Sequence, residues 1–92
     1  MEHISRRFRV TGKVQGVFFR QSACSQAEQL SLRGYARNLP DGSVEILVHG
    51  AVPAVEALRQ WLHQGPRSAR VDGVVELTIE TGAPAPLKFQ IL

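Results

Sequence analysis

Ninety-two residues and 10.1 kDa suffice for one hydrophobic core closed by a sheet and a pair of helices, which excludes a multi-domain organisation. Hydrophobic residues at 43% and charged residues at 21% exclude a disordered chain, and no apolar run is long enough to cross a bilayer. The net charge of +3 arises entirely within residues 1–46, while the remainder is neutral. Such a basic half is either a solvated face or a site for something anionic.

The first element in chain order is a strand in which Phe8 and Val10 alternate with Arg7, Arg9 and Thr11, before Gly12 loosens the backbone. The opening residues lack the apolar stretch and cleavage site of a secretory signal, so a cytoplasmic chain is expected. Residues 22–33 place Ala23, Ala27 and Leu30 at helical spacing, with Ser25 and Glu28 in a capping relation and Gly34 as the stop. Tyr35 to Leu39 forms a second strand, Pro40-Asp41-Gly42 a turn, and Val44, Ile46 and Val48 the inward face of a third strand. Pro53 opens a second helix through Val55, Leu58, Trp61 and Leu62, closed by Gly65-Pro66. Val75, Leu77 and Ile79 supply a fourth strand, a Gly-Ala-Pro-Ala-Pro stretch interrupts, and Leu87, Phe89 and Ile91 end the chain as a short strand. The order predicts an α+β, ferredoxin-like βαββαβ sandwich: a mainly antiparallel sheet with two helices on one face and a short C-terminal strand.

This topology makes the first two strands parallel and ends them at the same edge of the sheet, about 10 Å apart if one strand lies between them. Three features then meet there: the loop from Lys13 to Phe19, the start of the first helix with Arg20, and Asn38. A loop with Gly12 and Gly16 at its ends can turn consecutive N–H groups inward around a tetrahedral oxyanion, and the following helix start adds partial positive charge. A plain turn has the same letters. Arg20 suits an oxyanion because a planar, permanently charged guanidinium offers parallel hydrogen bonds. The letters do not fit GxxxxGK[ST], so no ATP-binding loop is expected.

Acid–base groups are scarce at this edge. His3 lies near the terminus, His49 on the polar side of the third strand, His63 in the last turn of the second helix, and Asp41 in a turn where local hydrogen bonding is its ordinary role. Cys24, the lone cysteine, has no partner for a disulfide or a metal motif and reads as a core residue of the first helix. Chemistry without a strong protein acid requires a leaving group that departs unprotonated, and a carboxylate, with a pKa of roughly 4, is such a group. Asn38 cannot abstract a proton, but its amide can hold a water with one donor and one acceptor.

Val10-Thr11-Gly12-Lys13-Val14-Gln15-Gly16-Val17-Phe18-Phe19-Arg20 resembles the first signature of the acylphosphatases, and Gly34-Tyr35-Ala36-Arg37-Asn38 with Gly42, Val44 and Gly50 resembles the second. The likeness extends over essentially the whole chain, read as a single acylphosphatase-like domain over 1–92. It implies a ferredoxin-like fold and hydrolysis of the carboxyl-phosphate bond of acyl phosphates without metal or organic cofactor. By matching positions, the backbone amides of Gln15, Gly16, Val17, Phe18 and Phe19 would cradle the phosphoryl group with Arg20, and Asn38 would orient the attacking water. The implied partners are a small acyl phosphate substrate and inorganic phosphate or sulfate as product or inhibitor, with no nucleic acid and no membrane, acting on a monomer. Leu39 stands where a small hydroxylated residue is common, and the terminal residue is not aromatic, which puts a contact between the tail strand and the loop in question.

Two other readings share the element order. An RNA-recognition module is imitated by Arg33-Gly34-Tyr35-Ala36, but the aromatics its signature needs do not follow. The acylphosphatase-like portion of hydrogenase-maturation carbamoyltransferases is followed by much more chain, whereas this one ends at Leu92.

Overall fold

The computed structural model describes residues 2–79 and 86–92. The elements are β1 (His3–Lys13), α1 (Phe19–Gln29), β2 (Arg33–Asn38), β3 (Val44–Ala51), α2 (Val52–Leu62), β4 (Arg70–Leu77) and β5 (Phe89–Ile91). They build one five-stranded sheet in the order β4-β1-β3-β2-β5, antiparallel except where β5 runs parallel to β2. The α+β sandwich expected from the sequence is therefore present, with β3 as the strand between β1 and β2.

Alternation divides the sheet into two faces. Phe8 and Val10 of β1, Ala36 of β2 and Val44, Ile46 and Val48 of β3 are buried in one cluster with Ala23 and Ala27 of α1 and Val55, Leu58 and Leu62 of α2. α1 packs on β2 and β5, α2 on β1 and β3, and the two helices touch. The opposite face carries Arg7, Arg9, Arg37 and Tyr35 around the buried carboxylate of Glu45, which accepts from Tyr35 Oη at 2.9 Å and Arg37 Nη2 at 2.6 Å. Arg7 Nη1 lies 3.6 Å from the same carboxylate and Arg9 pairs with Asp41 at 3.1 Å. Much of the basic first half is thus a neutralised sheet face.

Several boundaries depart from the sequence expectation. α1 begins at Phe19, not at residue 22, because Phe18 at φ 63° swings the chain directly from loop into helix. Its N-cap makes no side-chain hydrogen bond, so the Ser25–Glu28 capping relation does not occur, and both residues lie within the helix. Gly34 does not stop α1. It belongs to β2 at φ 141°, where a β-carbon would overlap the Leu47 carbonyl, so the glycine is required by strand packing. In β4 the inward residue is Val74, opposite Val10, whereas Val75 pairs with Arg9 on the other face and is exposed, and Ile79 lies beyond the strand. Adjacent valines leave the alternation of β4 ambiguous, and pairing with β1, which sets Val74 opposite the buried Val10, decides it. Most of the Gly-Ala-Pro-Ala-Pro stretch, residues 82–85, lies outside the described residues. Among the described residues no helix is long and apolar enough to cross a membrane.

Candidate active site

The segment between β1 and α1 is pinned by its own apolar residues. Val14, Val17 and Phe19 are buried, while Gly16 and Phe18 face outward. Two residues adopt left-handed backbone, Gly16 at φ 73° and Phe18 at φ 63°, and these turns curl the segment around the start of α1. The glycine does so without strain; for phenylalanine the conformation is uncommon. No acidic residue occupies the first turn of α1, so nothing there offsets the partial positive charge of the helix start.

A cleft of about 390 Å³ opens at this turn, lined by Val14, Gly16, Phe18, Phe19, Arg20, Gln21 and Ile91. Arg20 is half-buried in its wall, and Nη1 donates to the main-chain oxygen of Leu92, the last residue, at 2.6 Å. Among the described residues it has no other hydrogen-bond partner and no Asp or Glu within ion-pair distance. The tail strand thus touches the site through its backbone, at Arg20 of α1. The Leu92 N–H in turn donates to the Ala36 carbonyl at 2.9 Å, two residues before Asn38.

The loop reaches Asn38 from the other side. Gln15 Nε2 donates to the carbonyls of Leu39 and Ser43, each at 2.8 Å. Asn38 is thus bracketed by two tethers, one through Arg20 and β5, the other through Gln15. It does not line the cleft directly, but its Oδ1 is buried and accepts no hydrogen bond from the described residues.

A third contact sets the loop's polarity. Ser68, in the connection from α2 to β4, donates its hydroxyl to the Val17 carbonyl at 2.6 Å. Because a trans peptide holds C=O and N–H on opposite sides, anchoring the Val17 oxygen aims the Phe18 N–H the other way. Neither this tie nor the Gln15 clamp was legible in the sequence. Ser68 is 51 residues from its partner with no motif around it, and Gln15 counted only for its backbone amide.

The remaining candidates fall where they leave the cleft free of titrating groups. None of the three histidines lines it. Ser5 Oγ and His49 Nδ1 lie 2.7 Å apart on the open face of the sheet, and burial holds His49 below the ordinary histidine range, aided by the positive charge of Arg33. Hydrogen bonds from Ser43 keep Asp41 below the usual carboxylate range, the local role expected of it. The Cys24 thiol is pushed up to about 11 by burial and then by its Glu28 neighbour, leaving almost no thiolate at neutral pH. Among the described residues no three of His, Cys, Asp and Glu cluster closely enough to hold a metal ion.

Comparison with known proteins places this geometry in context. A profile of the acylphosphatase family matches residues 6–91. An acylphosphatase of Alkalilimnicola ehrlichii is 53% identical over 88 residues, covering 96% of this chain and 97% of the relative. The structure of an acylphosphatase from Coxiella burnetii superposes with a TM-score of 0.82 at 36% identity, covering 98% and 93% of the two chains. A full-length HypF crystallised with phosphate and nucleotide gives a TM-score of 0.85 at 25% identity, but the match spans only 12% of that much longer chain. On the extent of the profile match and the identity to its relatives, the chain belongs to the acylphosphatase family of hydrolases.

Proposed function

We propose that the protein hydrolyses the carboxyl-phosphate bond of acyl phosphates, releasing a carboxylate and inorganic phosphate, with Arg20 and the amides of residues 15–19 binding the phosphoryl group and Asn38 orienting the water. The observation that carries this reading is Arg20 on the wall of the cleft at the start of α1, with guanidinium N–H groups beyond the one given to Leu92 and, among the described residues, no Asp or Glu within ion-pair distance. Such a group calls for an anion. Asn38 lies beside that frame, between the Gln15 and Leu92 tethers.

The chemistry suits these parts. Phosphoryl transfer through a loose transition state asks for positioning and charge stabilisation more than for acid–base catalysis. The phosphoryl oxygens sit among amide donors, the start of α1 and Arg20, which meet the charge without further reorganisation. Water oriented by the Asn38 amide attacks phosphorus, the bridging bond breaks, and its electron pair leaves on a carboxylate that needs no proton. The proton lost from water goes to the phosphoryl oxygens or to solvent; among the described residues no histidine, Asp or Glu lines the cleft. The chain's own residues account for each part of this step, and we assign it no metal or organic cofactor.

The test is hydrolysis of a chromophoric aroyl phosphate by the purified protein, with and without EDTA. Turnover is expected in both. Arg20→Ala should cost on the order of 3 kcal/mol or more in kcat/KM and weaken inhibition by inorganic phosphate. Undiminished phosphate inhibition in that variant would contradict the assignment.

A further inference from the structure

The Arg20 cleft has a second half that phosphate binding does not use. Phe18 is 72% exposed and Ile91 45% exposed, and both line the cleft on its solvent side. The same two side chains continue into a shallower groove along the outer face of α1, beside Gln21, Ser22 and Ser25. Folding gives no reason for Phe18. A turn at φ 63° is met most easily by glycine or asparagine, and an aromatic ring there contributes little burial to the core. An apolar side chain held in an unfavourable conformation and in water, on the rim of a cationic cleft, is an outlier of the kind that functional sites retain.

We propose that Phe18 and Ile91 form the subsite for the acyl group, and that the protein's substrates are acyl phosphates with an apolar, aromatic or extended aliphatic acyl part, selected over acetyl and carbamoyl phosphate. The inference rests on the reading above. In an acyl phosphate the carbonyl carbon is one bridging oxygen from phosphorus. With the phosphoryl group under the amides of residues 15–19 and Arg20, the acyl group must leave through the open side of the cleft, which Phe18 and Ile91 flank. The contact is made before the transition state and survives it, so it acts on KM more than on kcat.

The experiment compares kcat/KM for benzoyl phosphate with that for acetyl phosphate, each divided by its uncatalysed rate, in the native protein, Phe18→Asn, Phe18→Leu and Ile91→Ser. The ratio is the readout, because a disturbance of the amide cradle acts on both substrates and cancels. Asparagine tolerates the left-handed turn, so the Phe18→Asn protein is expected to melt no lower than the native one. Its ratio should fall roughly tenfold through the KM for benzoyl phosphate, with Ile91→Ser falling about threefold and Phe18→Leu keeping most of the preference. A ratio within about twofold of the native value in both Phe18→Asn and Ile91→Ser would overturn the subsite while leaving phosphoryl hydrolysis intact. Hydrolysis of neither substrate by the native protein would instead sink the underlying reading, and the subsite with it.

Discussion

On the proposed reading Asn38 orients the water and Arg20 binds the phosphoryl group, and substitutions should separate the two. Arg20 is a permanent charge on the cleft wall, whereas Asn38 lies off that wall with its oxygen buried. Asn38→Ala removes the unsatisfied acceptor and the neutral amide together, and is expected to lower kcat by at least tenfold while the inhibition constant for inorganic phosphate stays within about twofold. Parallel loss of turnover and phosphate affinity would show that the side chain shapes the pocket and does not hold the water. Leu39 brings no hydroxyl beside Asn38, whose Oδ1 has no hydrogen-bond partner among the described residues. Its backbone N–H bonds the Ser43 carbonyl at 2.8 Å, and its own carbonyl receives Gln15.

At the scale of elements, the β1–α1 segment presents amides on the proposed reading, and what holds it lies elsewhere in the chain. Valines at 14 and 17 and Phe19 plug it into the core, Gln15 ties it to the β2–β3 turn, and Ser68 ties it to the α2–β4 connection. Ser68→Ala frees the Val17 carbonyl and with it the aim of the Phe18 N–H. Because Ser68 is itself exposed, the fold should barely notice, with a melting temperature within about 2 °C of native. Phosphate inhibition and kcat/KM are expected to weaken together, by roughly three- to tenfold, and to recover in Ser68→Thr, which keeps the hydroxyl. Unchanged kinetics in Ser68→Ala would mean that the loop holds its shape without that bond.

The same elements show what local patterning can carry. Period-two alternation in β1 and β3 and helical spacing in α2 reported a real division into core and solvent faces, because each strand or helix has one buried side. The start of α1 was misplaced because its entry is a left-handed phenylalanine without a side-chain cap, which no capping rule anticipates. β4 was misread because apolar residues fall on both faces at Val74 and Val75, and only pairing with β1 selects between them. The loop and Arg20 on the cleft wall were legible, since crossover topology brings two parallel strand ends together, but Gln21 and Ile91 of the lining were not, and Asn38 lies off the cleft. Their tethers were not, because a side chain bonding a distant carbonyl leaves no periodic trace in the chain.

Across the whole molecule the two faces of the sheet have opposite tasks. One is sealed by helices, and its edge carries the cleft. The other is open and bears Arg7, Arg9, Arg33 and Arg37, three of them held by Glu45 or Asp41. This is why a net charge of +3 says little about where an anion binds. His49 sits on that open face with its folded value below the ordinary 6.5, so the unfolded chain takes up a proton first as the pH falls. Stability from this group is therefore full above pH 6.5 and is lost on acidification below it. The melting temperature is expected to drop between pH 7.5 and 5.5, and by less in His49→Asn. An equal drop in both proteins would assign the effect to other groups.

The most direct test is to titrate the isotope-labelled protein with inorganic phosphate and follow every backbone amide and arginine Nε–H by NMR. Saturable shifts at the amides of Gly16, Val17, Phe18 and Phe19 and at Arg20, lost in Arg20→Ala, are the result this account requires. Shifts confined to Arg7, Arg9, Arg33 and Arg37, with the β1–α1 loop silent, would place the anion on the open sheet face and contradict it.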